Sequence, residues 1–150
     1  MKIVWFDPGV TTGYAIGVIN TEGQMMVVSG QERWSGDELF KFLNECKPDC
    51  VGYERFEFRQ KNRPGVELFP RELIGVIKLW WETNKGDRIS GLYQQMPSVI
   101  SGYFTDKKLR EGGVYKVGRP HANDATRHLL NWYQFGSGYQ YNKKGFVSGS

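Results

Sequence analysis

The chain has 150 residues, 39% of them hydrophobic and 24% charged, with a formal net charge of +4. That length suits one folding unit of the usual ~100–200 residues and excludes two large domains; nine Phe, eight Tyr and five Trp supply the apolar area for a sizeable core. No apolar stretch approaches the roughly 18 residues that a membrane-spanning helix needs, and Ile3–Phe6 is too short for the apolar region of a secretory signal, so the expected location is the cytoplasm. Cys46 and Cys50, the only cysteines, fit neither a disulfide framework nor a zinc site and are expected to be reduced core residues.

Charge is uneven along the chain. Residues 1–54 carry four Lys/Arg against eight Asp/Glu, residues 55–119 carry thirteen against seven, and residues 120–150 three against one. A basic middle beside an acidic front predicts one face that attracts polyanions, although solvated helix surfaces would look the same.

In chain order, Lys2–Phe6, Gly13–Ile19 and Gln24–Gln31 carry strand signals, separated by turns at Gly9 and Gly23 short enough for antiparallel hairpins. Ser35 with Glu38 three residues on predicts a capped helix, with Leu39, Phe40, Phe42 and Leu43 as its apolar stripe and an end near Lys47-Pro48. Cys50–Glu54 follows as a buried strand, reached by a helical crossover and so parallel to the first. Arg55–Pro70 is polar and basic, and predicts a surface loop. Leu73, Ile74, Val76, Ile77, Trp80 and Trp81 predict a helix on the sheet, Ile89–Gln94 a further strand, and Asn123–Tyr133 a last helix. The expectation is an α/β domain over residues 1–135, with a five-stranded mixed sheet flanked by helices, three antiparallel strands coming before the parallel ones. From Gly136 to 150, Gly, Ser, Tyr and Lys predict a flexible tail.

Asp7 follows the first strand directly, and Glu54 ends the strand expected beside it, so both carboxylates should project from one rim of the sheet. His121 and Asp124, spaced i, i+3, fall on one face at the start of the last helix. Each has a plainer role open to it: Asp7 as a turn former before Pro8-Gly9, Glu54 as the partner of a surface arginine, Asp124 as a charge suited to the helix dipole, His121 as a loop residue. If they converge, like charges about 4 Å apart repel by roughly 4 kcal/mol at an effective dielectric near 20, which a divalent cation would relieve. Hard oxygen donors suit Mg²⁺ or Mn²⁺, and two such ions can activate water and stabilise the leaving oxygen of a phosphodiester.

Asp7-Pro8-Gly9 with Thr12-Gly13-Tyr14, Tyr53-Glu54 after an apolar strand, Gly102 followed by Lys107-Lys108, and His121-Ala122-Asn123-Asp124-Ala125 together resemble the RuvC family of Holliday junction resolvases, within the ribonuclease H-like fold. The resemblance covers roughly residues 1–133. It implies a metal site of Asp7, Glu54, His121 and Asp124 holding two Mg²⁺ (or Mn²⁺) ions. It also implies a four-way DNA substrate cut by two symmetric nicks, a homodimer, and the cytoplasm of a bacterium or phage-infected host. Where the family carries a lysine after its Pro-x-x-Val segment, Pro97-Ser98-Val99 runs on to Ile100-Ser101. Lys108, or its neighbour Lys107, matches the family's second lysine, although an exposed helix start would also explain the pair. These departures suggest a divergent, phage-like member.

In the basic loop, Arg55, Phe56, Phe58, Arg59, Lys61 and Arg63 interleave aromatics with cations. Cations can hold phosphates while a ring stacks on an unpaired base, with Phe58 the expected wedge; alternatively Phe56 and Phe58 point inward as core. A nuclease of the same fold acting on flaps, forks or RNA/DNA hybrids, or a non-catalytic junction-binding protein, would use the same residues. The turn after Asp7 also looks like the first phosphate loop of the actin and sugar-kinase superfamily, but that reading needs a second, duplicated domain, so no nucleotide cofactor is expected.

Overall fold

The computed structural model describes residues 1–56 and 68–149, with Leu68 described by its backbone alone. Strands β1 (Lys2–Asp7), β2 (Thr12–Ile19) and β3 (Met25–Glu32) form an antiparallel meander. Helix α1 (Gly36–Cys46) crosses to β4 (Cys50–Glu54), which lies parallel to β1, and α2 (Leu68–Asn84) leads to β5 (Leu92–Gln95), parallel to β4. Short α3 (Asp106–Glu111) and long α4 (Pro120–Phe135) come before β6 (Phe146–Ser148). The sheet runs β5-β4-β1-β2-β3-β6.

The sheet has six strands where five were expected. The sixth lies in the segment read as a tail, pairing parallel with Met25–Val27; three residues among glycines are too few for alternation to show in the sequence. It is anchored from beneath by Tyr133 of α4, whose hydroxyl bonds the carbonyls of Gly23 and Gly145.

Period-two alternation in β1 builds two cores. Ile3 and Trp5 face α4, meeting Ala125, Leu129 and Trp132, while Val4 and Phe6 face α1 and α2, meeting Leu39, Leu43, Leu73 and Ile77. The Ser35 capping box is present, each partner bonding the other's main-chain N–H. Lys47 closes α1 in the left-handed region at φ 49°, because Pro48 cannot continue a helix. Cys50 is buried and Cys46 half-buried, both as free thiols.

Several boundaries moved, and the strand expected over Ile89–Gln94 runs from Leu92 to Gln95. Helix α2 takes in Leu68–Pro70, which the sequence had assigned to the loop, and α4 starts three residues earlier than expected, because proline is well suited to the first helical position. The earlier start matters for β2: a Cβ on Gly13 would lie 1.9 Å from the carbonyl oxygen of His121. Gly13→Ala should therefore push the start of α4 off the sheet and lower stability by about 1–3 kcal/mol, the usual cost of overpacking, which a thermal melt would read.

Candidate active site

Asp7 ends β1 where Pro8 and Gly9 turn the chain out of the sheet. Buried Thr12 ties that turn, its Oγ1 donating to the Gly9 carbonyl at 3.0 Å and accepting the Gly9 N–H at 3.3 Å. Phe6 pairs with Tyr53, so Glu54 leaves the sheet on the strand next to Asp7. Helix α4 brings the rest. Gln31 of β3 accepts the main-chain N–H groups of His121 (3.1 Å) and Ala122 (3.4 Å), two first-turn donors that a helix leaves without partners. That contact fixes the start of α4 over the sheet's carboxyl-end rim.

The ionisable groups meet as three contacts. His121 Nδ1 lies 3.4 Å from Asp7 Oδ2, long for a hydrogen bond. Arg127 Nη1 donates to Asp124 Oδ1 at 2.7 Å. His128, wholly buried and stacked on Trp5 at 6.0 Å between centroids, has Nε2 2.8 Å from Glu54 Oε2 and Nδ1 2.7 Å from Gln95 Oε1. Arg127 also bonds the Phe104 carbonyl at 2.9 Å and the carboxylate of Asp106, tying α3 to α4.

The carboxylates perturb one another. Burial raises the pKa of Asp7 above its ordinary value, the charges of Glu54 and Asp124 raise it further, and the His121 hydrogen bond opposes them. Burial likewise raises Asp124, with Glu54 adding and Arg127 opposing. The hydrogen bond to Asp7 raises His121, burial opposing. A base held above its unfolded pKa stabilises the fold fully below that unfolded value of 6.5 and loses the contribution as pH climbs through the folded one. Without divalent ions, stability should therefore decline as pH rises above about 6.5, and His121→Ala should flatten that part of the melting profile.

Asp7, Glu54, His121 and Asp124 thus share one rim. They do not stand as a finished coordination sphere: among the described residues no group of three or more His, Cys, Asp or Glu side chains is arranged to hold a metal ion. The reason is local, since Glu54 is turned to His128 and Asp124 to Arg127. The donor chemistry nevertheless fits a hard divalent cation, because three carboxylates from separate elements lie near enough to interact and two of them are raised partly by their neighbours' charge.

Lys107 and Lys108 sit in the first turn of α3. Lys107 points to solvent, 3.9 Å from Glu111, and the Lys108 ammonium lies over the Tyr103 ring at 3.1 Å, so neither touches the carboxylates. Arg55 is exposed, and Phe56 is half-buried at the margin of the α1–α2 core with the Arg71 guanidinium 4.7 Å from its ring centroid. Phe58, Arg59, Lys61 and Arg63 lie outside the described residues. The sequence reading missed Gln31, Gln95, Arg127 and His128. For His128 a signal existed: it stands seven residues after His121 and four after Asp124, on the same helix face.

No family model matches the sequence, and no curated protein matches it. Solved structures do. Thermus thermophilus RuvC in complex with Holliday junction substrate superposes with a TM-score of 0.66 at 15% identity, covering 95% of this chain and 98% of that one. The fold is ribonuclease H-like. A second Thermus thermophilus RuvC structure gives 0.59 at 16% identity over 89% of this chain and 95% of its own. The yeast mitochondrial Holliday junction resolvase Ydc2 gives 0.64 at 12% identity, over 94% and 81%. At such identities the likeness to RuvC and Ydc2 establishes the fold, and the expected mixed sheet, three antiparallel strands before the parallel ones, stands with a sixth strand added. No helix among the described residues is long and apolar enough to cross a membrane.

Proposed function

We propose that the chain is a metal-dependent, structure-selective endodeoxyribonuclease that resolves four-way DNA junctions by paired symmetric nicks, working in the cytoplasm as a homodimer. What supports this reading is that Asp7, Glu54 and Asp124, from three separate elements, lie near enough at one end of a ribonuclease H-like sheet for their charges to perturb one another. Fold likeness to a RuvC that was solved holding a junction supports the substrate class. A two-fold assembly follows from the substrate, because two related strands need two related sites.

Asp7, Glu54, His121 and Asp124 would hold the Mg²⁺ or Mn²⁺ ions, two to a site, with Glu54 and Asp124 each retaining one oxygen for His128 and Arg127. Such ions, when bound, activate a water in line with the scissile bond and stabilise the leaving oxygen. Where His121 does not ligate an ion, it would hold or pass a proton beside Asp7. Lys107 or Lys108 swings from α3 to offset charge developing on the phosphoryl oxygens, while Arg55 and Phe56, with Phe58, Arg59, Lys61 and Arg63 of the basic sequence that follows, hold the crossover.

The decisive experiment supplies Mg²⁺ with a mobile four-way junction, a flap, a plain duplex and an RNA/DNA hybrid. Paired nicks near the crossover are the expected result. Preferential cutting of flaps, forks or hybrids would replace the substrate and keep the chemistry, and tight junction binding with no cutting would leave a non-catalytic binder.

A further inference from the structure

The acidic rim has cations on both sides. Towards β4, Arg55, Arg71 and Lys78 line a shallow cavity beside Tyr53. Towards β3, on the opposite side of β1, lies a second cleft lined by Thr11, Gln31, Glu32, Arg33 and Arg119. Arg33 follows β3 directly and Arg119 precedes α4. Both side chains are exposed, and among the described residues neither guanidinium has a hydrogen-bond, ion-pair or ring partner. Other arginines are engaged: Arg127 holds Asp124 and Asp106, Arg71 covers Phe56, and Arg88 bonds main-chain carbonyls.

The position of this cleft is set by the sheet. Asp7 pairs with Gly13 and Gly13 with Gln31, so the cleft stands two strand spacings, about 10 Å, from the proposed cutting point. Its wall is shared with the site, since the Gln31 side chain that lines it also holds the His121 main chain. Two uncommitted guanidiniums beside a threonine suit an anion with several acceptor oxygens. Glu32 is the one carboxylate lining the cleft, and it sets a limit on the attraction.

We infer that the Arg33–Arg119 cleft is a second phosphodiester-binding site, which grips the backbone of the cleaved DNA strand on the side of Asp7 away from Arg55 and Arg71. The inference rests on the nuclease reading and deepens it: the strand enters over Arg55 and Arg71, crosses Asp7, and leaves over Arg33 and Arg119. Held at two places, it cannot slide the scissile phosphate past the carboxylates.

The test measures affinity for a four-way junction as a function of KCl, without divalent ion so that nothing is cut. Each backbone phosphate neutralised contributes about −0.9 to the log-log slope. Arg33→Ala/Arg119→Ala is expected to make the slope shallower by about 1–2, with the melting temperature unchanged. Arg33→Lys/Arg119→Lys should keep most of the slope, and Glu32→Gln should tighten binding. Lys85→Ala, which removes a cation paired with Glu82 at the far end of α2, should leave the slope alone. An unchanged slope in the double alanine variant, with wild-type protein still binding junctions, overturns the cleft and spares the nuclease reading. An equal change in Lys85→Ala also overturns it, by showing that net charge alone is at work. Wild-type protein that neither binds nor cuts any of the DNAs overturns both.

Discussion

Asp7→Asn is expected to cut junction DNA about a thousandfold more slowly while melting at a higher temperature than the wild type in metal-free buffer at pH 8. The rate loss follows from removing a carboxylate from the proposed metal site: several kcal/mol of charge stabilisation disappear, at ~1.4 kcal/mol for each power of ten. The gain in stability follows from the direction of the Asp7 shift. Its pKa is raised, first by burial and then by Glu54 and Asp124, so the folded state is penalised at every pH above the ordinary carboxylate value, and the penalty is complete above the raised one. Asparagine keeps the shape and removes the charge. At pH 8 little is lost through His121, whose contact with Asp7 is already 3.4 Å long. Added Mg²⁺ should reverse the order. A ligand at 100 times its Kd stabilises by about 2.7 kcal/mol, which the wild type should show and Asp7→Asn should largely lack. A variant that melts lower in metal-free buffer, or that gains as much from Mg²⁺ as the wild type, would remove Asp7 from the metal site.

His128→Leu should produce the other large effect. Its imidazole is wholly buried, pinned between Trp5, Gln95 and Glu54. Leucine fills comparable space and provides no donor, leaving the Glu54 carboxylate and the Gln95 amide without their partner. Breaking such a contact costs about 3 kcal/mol, or roughly 6–12 °C for a domain of this size. Groups that orient metal-binding carboxylates typically change metal affinity 10–100-fold, so the Mg²⁺ concentration that half-saturates the thermal shift should rise by that factor, with junction affinity in metal-free buffer unaltered. His128→Gln, which keeps one N–H for Glu54, should fall between the two. Loss of stability with an unchanged Mg²⁺ midpoint would make His128 a core residue only.

Much of this architecture is legible in the sequence because its signals are local. The short apolar run in Lys2–Phe6 marks a strand buried on both faces, the Ser35–Glu38 pair marks a helix start, and Pro48 marks its end. The parallel pairing of Cys50–Glu54 with β1 follows from the crossover rule, and with it the adjacency of Asp7 and Glu54. What escaped depends on contacts between distant segments. Gln31 and Gln95 are unremarkable polar residues until α4 lies across them. His128 was hidden by its neighbours Leu129 and Leu130, which make that stretch read as core. β6 was hidden by brevity, its pairing with β3 made possible by the Tyr133 bond to Gly145.

The cross-chain bond from Gln31 to the first turn of α4 has one more consequence. The carboxylates come from positions 7, 54 and 124, so the early sheet can assemble on the ribosome with two of the three in place and nothing above them. Only when the last long helix emerges and docks does the rim close. The rim is thus completed by contacts between segments 90 and 91 residues apart, which form late because long loops must close before they can be made.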